Sequence, residues 1–327
     1  MKKRILTGIK PTGEQAHIGN YFWAIEPMLR AQQEGNLDVF MFLASLHSFI
    51  SVHEPEKLRQ YYINIVRMYL ACGIDPEKSY IYNQAYLPAH TEAGRILGCI
   101  TNMWTMERMH AYKDSIAKWK ANEAAVWLFT YPILMAADIL LYDAHYVPVG
   151  KDQKQHVEYA RDIAEKFNKT FGDTFILPEP IIDEAVATVP GIDGRKMSKS
   201  YNNYIGLLDD EKTILKKIKL IPTWSQWIAD PKDPDACNVY NILKLFLTKE
   251  EDFVLRKRYT DGGLGYKEVK DMLYEKIRAL LEPIQERYAS YDEASVIRII
   301  NAWTEKVRHI SEEKIALIKQ KIGFFLG

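Results

Sequence analysis

A short basic segment, Lys-Met-Ser-Lys-Ser at residues 196–200, has the composition expected of a loop that binds a polyphosphate. Its two lysines supply positive point charges, and its serines and backbone amides supply hydrogen-bond donors between those charges. A Pro-Gly pair at residues 190–191 predicts a turn before the segment. A lone Lys-x-x-Lys is more often a solvated loop, so the segment predicts a phosphate site only if a second phosphate-binding element exists elsewhere in the chain.

A candidate for that second element lies near the start of the chain. Residues 3–9 predict a short buried strand, residues 10–13 break it, and a helix is predicted from about His17. A helix N-terminus that follows a strand and a tight turn suits a phosphate, because its free amides and its dipole face the ligand. The glycine-rich fingerprints of dinucleotide-binding and P-loop proteins are absent from this turn, and His17 alone would be interpreted as a helix cap.

Strand and helix patterns alternate through the first part of the chain. Buried strands are predicted at residues 3–9, 37–46, 79–84 and 145–149, and an amphipathic helix is predicted at residues 54–71. This alternation predicts an α/β fold with a doubly wound, Rossmann-like parallel sheet. In such a sheet the ligand crevice lies at the carboxyl ends of the strands.

The chain of 327 residues is long enough for two domains. We expect a Rossmann-like catalytic domain over residues 1–200, interrupted by a helical insert at about residues 85–125. From about residue 205 the pattern is mainly helical and strongly charged, which predicts a smaller all-helical domain over residues 201–327. The last helix of that domain is expected to pack back on the catalytic domain.

Composition excludes several classes of protein. Hydrophobic residues make up 47% of the chain and charged residues 26%, as in an ordinary soluble globular protein. The 43 basic and 43 acidic residues balance, so local basic patches would have to hold any nucleic acid. The three cysteines include no C-x-x-C pair, which argues against zinc, an iron–sulfur cluster and a disulfide framework, and fits a reducing cytosol.

An apolar run at residues 124–141 is 18 residues long with a single charge, so its length alone would allow a membrane span. It contains Pro132 and Asp138, and a carboxylate within a bilayer is costly. We therefore predict no membrane span but a buried helix that opens at Tyr131 and Pro132, where the first turn tolerates proline. Tyr131, Met135 and Asp138 are spaced to share one face of that helix, and the buried Asp138 then requires a partner.

These features together resemble the bacterial-type tryptophanyl-tRNA synthetases, a family of class I aminoacyl-tRNA synthetases. His-Ile-Gly-Asn at residues 17–20 is similar to the first signature of that class, His-Ile-Gly-His, and residues 196–200 are identical to its second signature. Further motifs of the family match residues 7–13, 107–109, 131–142 and 147–156, and the resemblance extends from residue 4 to about residue 220.

The resemblance implies a two-step reaction. L-tryptophan and ATP would form tryptophanyl adenylate and pyrophosphate, and the tryptophan would then be transferred to the 3′ end of tRNA(Trp). Mg²⁺ would be carried with ATP, with no dedicated protein site for a metal. The resemblance also implies a cytoplasmic homodimer with the helical insert in its interface, and an anticodon-binding role for the helical domain.

The resemblance implies three sets of site residues when the motifs are matched residue by residue. The catalytic set around the phosphates comprises His17, Asn20, Lys113, Lys196 and Lys199. The remaining ATP contacts, among which Gly19 would let the adenine approach the backbone, comprise Lys10, Thr12, Gly19, Asp152, Met197 and Ser198. The tryptophan contacts comprise Leu6, His47, Tyr131, Met135, Asp138, Val147, Val149 and Gln153.

The related tyrosyl-tRNA synthetases are the first alternative. Their corresponding helix resembles residues 131–138 but has Gln at the position of Met135. A thioether suits a large apolar ring better than it suits a phenol. An indole N–H is only a donor, so the Asp138 carboxylate would satisfy it. Two departures from the family, Ser45–Leu46 in place of Asp-Gln and Lys10 in place of Gln, affect the expected substrate contacts.

Two further alternatives belong to other classes. Small adenylyltransferases share a His-x-Gly-His helix mouth but lack a large helical C-terminal domain. A paralogue that only binds RNA would have lost at least one of His17, Lys196 and Lys199, and all three are present.

Overall fold

The structure, a computed structural model, describes residues 2–11, 16–107, 126–150, 153–182 and 189–325. Its centre is a five-stranded sheet in the order β3-β2-β1-β4-β5, and every pair of neighbouring strands is parallel. The strands are β1 Lys3–Ile9, β2 Leu37–Leu43, β3 Ser79–Asn83, β4 Tyr146–Pro148 and β5 Glu179–Ile181. The strand order reverses between β1 and β4, so the prediction of a doubly wound parallel sheet is confirmed. The fifth strand, only three residues long, was not predicted.

Helices flank the sheet and fill the C-terminal part of the chain. The first group is α1 Ile18–Asn20, a π-helical turn Tyr21–Ile25, α2 Glu26–Glu34, α3 Ser45–Ser48, α4 Pro55–Cys72, α5 Ala89–Ile100, α6 Met103–Glu107, α7 Val126–Leu140 and α8 Lys154–Phe171. The C-terminal group is α9 Glu211–Leu220, α10 Asn238–Leu243, α11 Lys249–Asp261, α12 Tyr266–Ser290 and α13 Glu293–Lys321. Within the described part of the chain, no helix combines the length and apolarity needed to cross a membrane.

The central strands are buried on both faces because helices cover both sides of the sheet. The last five residues of β2 are all buried, as expected of a continuous apolar run in a parallel sheet. Successive side chains of β2 point into two different cores. In the first core, Val39 and Met41 pack with α2 and α4. In the second core, Phe40 and Phe42 pack with α5, α7 and α8. The second core adjoins the carboxyl ends of β1 and β4, where the ligand crevice is expected.

The prediction that a helix opens at Pro132 was wrong. Helix α7 already includes Val126, and Pro132 lies inside it. A proline there removes one backbone hydrogen bond. The apolar residues on both sides of Pro132 pack against α5 and α8, and this burial outweighs the lost bond. The predicted helical insert contains α5 and α6, and its residues 108–125 lie outside the described part of the chain.

Helix α13, the longest among the described residues, packs against β3, α4 and α5. The Trp303 indole donates to the carbonyl of Pro76 at 2.9 Å, and the Asn83 amide of β3 donates to the Thr304 hydroxyl at 3.4 Å. The ammonium of Lys314, which is 7% exposed, donates to an Asp143 carboxylate oxygen at 2.5 Å. Strand β3 is therefore covered by a helix from the far end of the chain, while the predicted domain boundary at residue 200 stays a prediction.

Gly8 in β1 lies directly against the Phe42 ring, at a tightly packed point of the second core. A Cβ at Gly8 would lie 2.6 Å from Cζ of Phe42, whose ring is buried against Tyr82 and His90. We expect Gly8→Ala to lower the free energy of unfolding by about 1–3 kcal/mol, because the ring cannot move without strain. Urea denaturation followed by circular dichroism measures this loss.

Gly98→Ala is the matched control for that variant. A Cβ at Gly98 in α5 would lie 3.8 Å from the nearest atom, an ordinary contact. Removing a glycine from a helix interior raises stability by about 0.5–1 kcal/mol. Equal changes in the two variants would contradict the packing described for Gly8.

Candidate active site

The mouth of α1 is closed by a reciprocal cap between His17 and Asn20. The His17 ring accepts at Nδ1 from the Asn20 amide at 3.2 Å, and the Asn20 side chain accepts from the His17 amide at 3.1 Å. Burial of the ring, together with nearby Lys199, lowers the pKa of His17 to about 4. The imidazole is therefore neutral at pH 7, and its proton is on Nε2, which is the nitrogen left to donate to a ligand.

The first signature segment lies against the second and is hydrogen-bonded to residues 205–207, which follow it. The Ile18 amide donates to the carbonyl of Ile205 at 3.0 Å, and the Leu207 amide donates to Ala16 at 2.9 Å. A Cβ on Gly19 would lie 2.9 Å from Nδ1 of His17 and 3.4 Å from the sulfur of Met197. The protein's own packing therefore already requires a glycine here, while contact with adenine stays a prediction.

The basic loop at residues 196–200 is held by one buried asparagine. Asn203, 2% exposed, accepts from the Ser198 amide at 2.8 Å and donates to the Lys196 carbonyl at 3.1 Å and to Asp193 at 2.7 Å. The side chains of Lys196 and Lys199 are exposed on this fixed backbone. Asn203 was missed from sequence, although asparagine is a residue that replaces backbone hydrogen bonds in tight loops.

A buried carboxylate, Asp138 on α7, forms the centre of a second cluster. It is 0% exposed, and its Oδ2 lies 2.9 Å from Nε2 of His47. Its Oδ1 accepts from Gln84 Nε2 at 2.7 Å and lies 2.6 Å from Nδ1 of His90. Burial alone would raise the pKa of Asp138, but the hydrogen bonds from His47 and His90 outweigh it and lower the pKa to about 2.

Two of the hydrogen-bond partners of Asp138 were not predicted from the sequence. From the sequence, no partner for Asp138 inside the chain was predicted. Gln84 and His90 provide two, and they were missed because they come from the turn after β3 and from α5, 54 and 48 residues away in sequence. The only signal was their position at the end of a predicted strand or shortly after it, where a parallel sheet places its ligand crevice.

Aromatic side chains lie next to His47 in this cluster. The Tyr131 ring meets the His47 ring edge-on, with centroids 6.2 Å apart, and the Tyr131 hydroxyl lies 3.1 Å from Nε2 of His156. Tyr131 and Asp138 both contact His47, so the prediction that they share one face of α7 is confirmed. Met135 on the same helix is half-buried. Three further predicted residues are buried: Leu6 in the middle of β1, Val147 in β4 and Val149 just after it.

The remaining predicted residues are placed as follows. Lys10 directly follows β1 and is exposed, and Gln153 precedes α8 and is half-buried. Three predicted residues lie outside the described part of the chain, namely Thr12, Lys113 and Asp152. Among the other predicted residues, Gly19 lies against His17 and Met197, and Lys199 lies near His17. His47 contacts both Asp138 and Tyr131. We call His17 with residues 196–200 the phosphate-type group, and the cluster around Asp138 the ring-binding group, after the roles predicted for them.

A family model described as tRNA synthetases class I (W and Y) matches residues 1–282. The chain belongs to this family. A tryptophan–tRNA ligase of Campylobacter jejuni strain RM1221 is 44% identical over 322 residues, which cover 98% of this chain and 99% of that protein. One from Neisseria meningitidis serogroup A is 41% identical over 331 residues and covers 98% of each chain.

Solved structures of class I synthetases share the fold of this synthetase. The tryptophanyl-tRNA synthetase of Campylobacter jejuni, crystallised in complex with ADP and tryptophan, superposes with a TM-score of 0.85 at 44% sequence identity. The match covers 98% of this chain and 99% of that one. The parallel sheet and the C-terminal helices are therefore those of a class I synthetase of this family.

The loop at residues 196–200 should open when Asn203 is replaced. Asn203→Ala leaves buried loop groups without partners, a loss of about 1–2 kcal/mol that would increase the open population roughly 5- to 30-fold. We expect trypsin to cleave after Lys196 and Lys199 faster by that factor. Asn202→Gly is the control, because Asn202 has a positive φ of 49° that glycine adopts without strain. Equal cleavage rates for both variants would contradict the role of Asn203.

Stability should depend on pH through His17. The pKa of His17 in the folded protein, about 4, lies below the ordinary value of 6.5. Between these two pH values the His17 ring is protonated in the unfolded chain and neutral in the folded protein. Stability is therefore lost as pH falls from about 6.5 towards 4, by about 2 kcal/mol at pH 5. His17→Asn keeps a capping side chain and should lack this loss. Urea denaturation at pH 7 and pH 5 measures it, and an identical change in both proteins would contradict the assignment.

Proposed function

We propose that this class I synthetase is a tryptophan–tRNA ligase. It activates L-tryptophan with ATP and transfers the tryptophan to the 3′ end of tRNA(Trp). The observation that carries the choice of amino acid is the buried, ionised Asp138 beside His47 and Tyr131, an acceptor suited to the N–H of an indole ring. The relatives that cover nearly the whole chain at 41–44% identity are tryptophan–tRNA ligases, which supports the same choice.

The activation step depends on positioning the two substrates and on stabilising charge on the phosphates more than on covalent catalysis. The carboxylate oxygen of tryptophan attacks the α-phosphorus of ATP, the bond from that phosphorus to the bridging oxygen breaks, and pyrophosphate leaves. The attacking carboxylate is already ionised at neutral pH, so no general base is required. The protein must hold both substrates in line and stabilise the charge that develops on the departing phosphates.

The phosphate-type group supplies that stabilisation. Neutral His17 offers its Nε2–H to a phosphate oxygen, and Asn20 fixes the ring through the reciprocal cap. Lys196 and Lys199 are exposed on a loop whose backbone is fixed, so their ammonium groups can follow the pyrophosphate as it departs. Mg²⁺ carried with ATP would add positive charge there. We infer that the enzyme needs neither zinc nor an iron–sulfur cluster.

The ring-binding group selects the amino acid. Asp138 accepts the indole N–H, and an amino acid whose ring lacks that donor would leave a buried acceptor short of a partner. The half-buried Met135 thioether packs on the ring. We expect Tyr131 on α7 and Gln153, which directly precedes α8, to hold the α-amino group.

We also propose that the enzyme is a homodimer that acts in the cytoplasm, where its tRNA and ATP are found. Large apolar side chains are exposed on the helical insert and on the neighbouring turns, which is typical of a surface that another protein covers. They are Phe49, Tyr86, Met103, Trp104 and Val126, between 52% and 82% exposed. Sedimentation at micromolar concentration tests the dimer.

Amino-acid-dependent exchange of labelled pyrophosphate into ATP tests the activity. Tryptophan and tyrosine are offered separately, without tRNA. Exchange with tryptophan alone is the expected outcome. Exchange with tyrosine would overturn the choice of amino acid, and exchange with neither would favour a paralogue that only binds RNA.

Lys199→Ala should lower the rate of this exchange by about 10²- to 10³-fold at saturating tryptophan, because one donor to the developing charge is lost. The KM for tryptophan should change little, since Lys199 lies in the phosphate-type group. Lys216→Ala, an exposed lysine on α9, is the control and should leave the rate unchanged. A similar rate for the two variants would contradict the role of Lys199.

A further inference from the structure

The two oxygens of the Asp138 carboxylate are used differently. Oδ1 has two donors, Gln84 Nε2 at 2.7 Å and His90 Nδ1 at 2.6 Å. Among the described residues Oδ2 has one donor, His47 Nε2 at 2.9 Å. An ionised carboxylate oxygen accepts about two hydrogen bonds. Oδ1 is therefore saturated, and the remaining capacity of the carboxylate is on Oδ2, the oxygen on the His47 side.

His90 is fixed on both sides of its ring. The ionised Asp138 can only accept, so Nδ1 of His90 carries a proton and donates to Oδ1. Nε2 of His90 lies 2.8 Å from the Tyr142 hydroxyl. The ring is 0% exposed and is surrounded by the rings of Phe42, Tyr82 and Tyr142, with centroids between 5.5 and 6.3 Å away. This packing prevents the imidazole from turning away from Asp138.

Gln84 is oriented in a similar way. Its Nε2 donates to Oδ1 of Asp138, while its Oε1 accepts from the amide of Leu46 at 3.1 Å. The two bonds fix which end of the amide faces the carboxylate. Because Leu46 lies in α3 next to His47, Gln84 also sets the distance between His47 and Asp138.

We propose that His90 and Gln84 are positioning residues that determine selectivity for a ring with an N–H group. They saturate Oδ1 and fix the plane of the carboxylate, so that Oδ2 alone, shared with His47, can accept from the substrate. Neither residue touches the substrate; both act through Asp138. This inference rests on the proposed function, because it assumes that the substrate ring binds at Asp138.

The test compares tryptophan with 3-benzothienylalanine, in which sulfur replaces the ring N–H and nothing else changes. Both are offered in the pyrophosphate-exchange assay, and the ratio of their kcat/KM values is measured. His90→Leu removes the donor with little change in volume, and we expect the ratio to fall about tenfold as the carboxylate turns. His90→Asn keeps a donor at the place of Nδ1 and should recover most of the ratio. The KM for ATP should be unchanged in both variants.

Other outcomes separate this inference from the proposed function. If His90→Leu lowers kcat/KM for both amino acids equally, His90 only supports packing and the proposal is overturned. If the wild-type enzyme does not activate tryptophan, the proposed function fails first. Gln84→Met removes the other donor to Oδ1 and gives an independent test if His90→Leu does not fold. Ser79→Ala is the control, since Ser79 is buried in β3 and bonds Gln32 instead of Asp138.

Discussion

The buried negative charge of Asp138 is the constraint on which the arrangement of the ring-binding group depends. A carboxylate without access to water is stable in its ionised form only when several donors replace the lost hydration. Those donors come from three places: His47 in α3, Gln84 in the turn after β3, and His90 in α5. Each must stay within hydrogen-bond distance, so these elements and α7 cannot shift independently. A charge that is costly to bury thus fixes how α3, α5 and α7 lie around it.

The phosphate-type group differs from the ring-binding group in that its charged side chains are exposed. Its cations are exposed and keep their hydration, while the groups that place them are buried. Asn203 holds the loop backbone, and the cap between His17 and Asn20 holds the helix mouth. Exposed ammonium groups attract a polyanion without a large desolvation cost, and the fixed backbone limits the entropy lost on binding. The two halves of the site are suited to their ligands: an apolar ring that must be discriminated, and a charged group that must be released.

Sequence patterns were sufficient for local features and insufficient for long-range ones. The first four strands and the amphipathic α4 were predicted because their apolar periodicity is strong over five or more residues. Strand β5 is no shorter than β4, but its sequence Glu-Pro-Ile forms no apolar run that would mark it as a strand. The proline rule placed the start of α7 too late because it ignores packing on both sides of Pro132. The residues around His17 and Lys196 were found because each group is contiguous in sequence.

The residues missed from the candidate site act through side-chain contacts that no local sequence pattern predicts. Gln84 and His90 act on Asp138 from about 50 residues away, and neither carries a local pattern that points to a carboxylate. Asn203 is closer to its loop, but its role depends on a side chain that turns back on the chain. Spacing along a helix identified the face of α7, but only the fold shows what that face meets.

The position of α13 has a consequence for how the chain is made. This helix of 29 residues extends about 44 Å and covers β3 through Trp303 and Thr304, yet it is synthesised after every strand of the sheet. While the chain emerges from the ribosome, β3 and the adjoining apolar core lack their cover. The sheet of the nascent chain therefore has an exposed apolar face until residues 293–321 have been translated, and this face is a surface that a chaperone can bind.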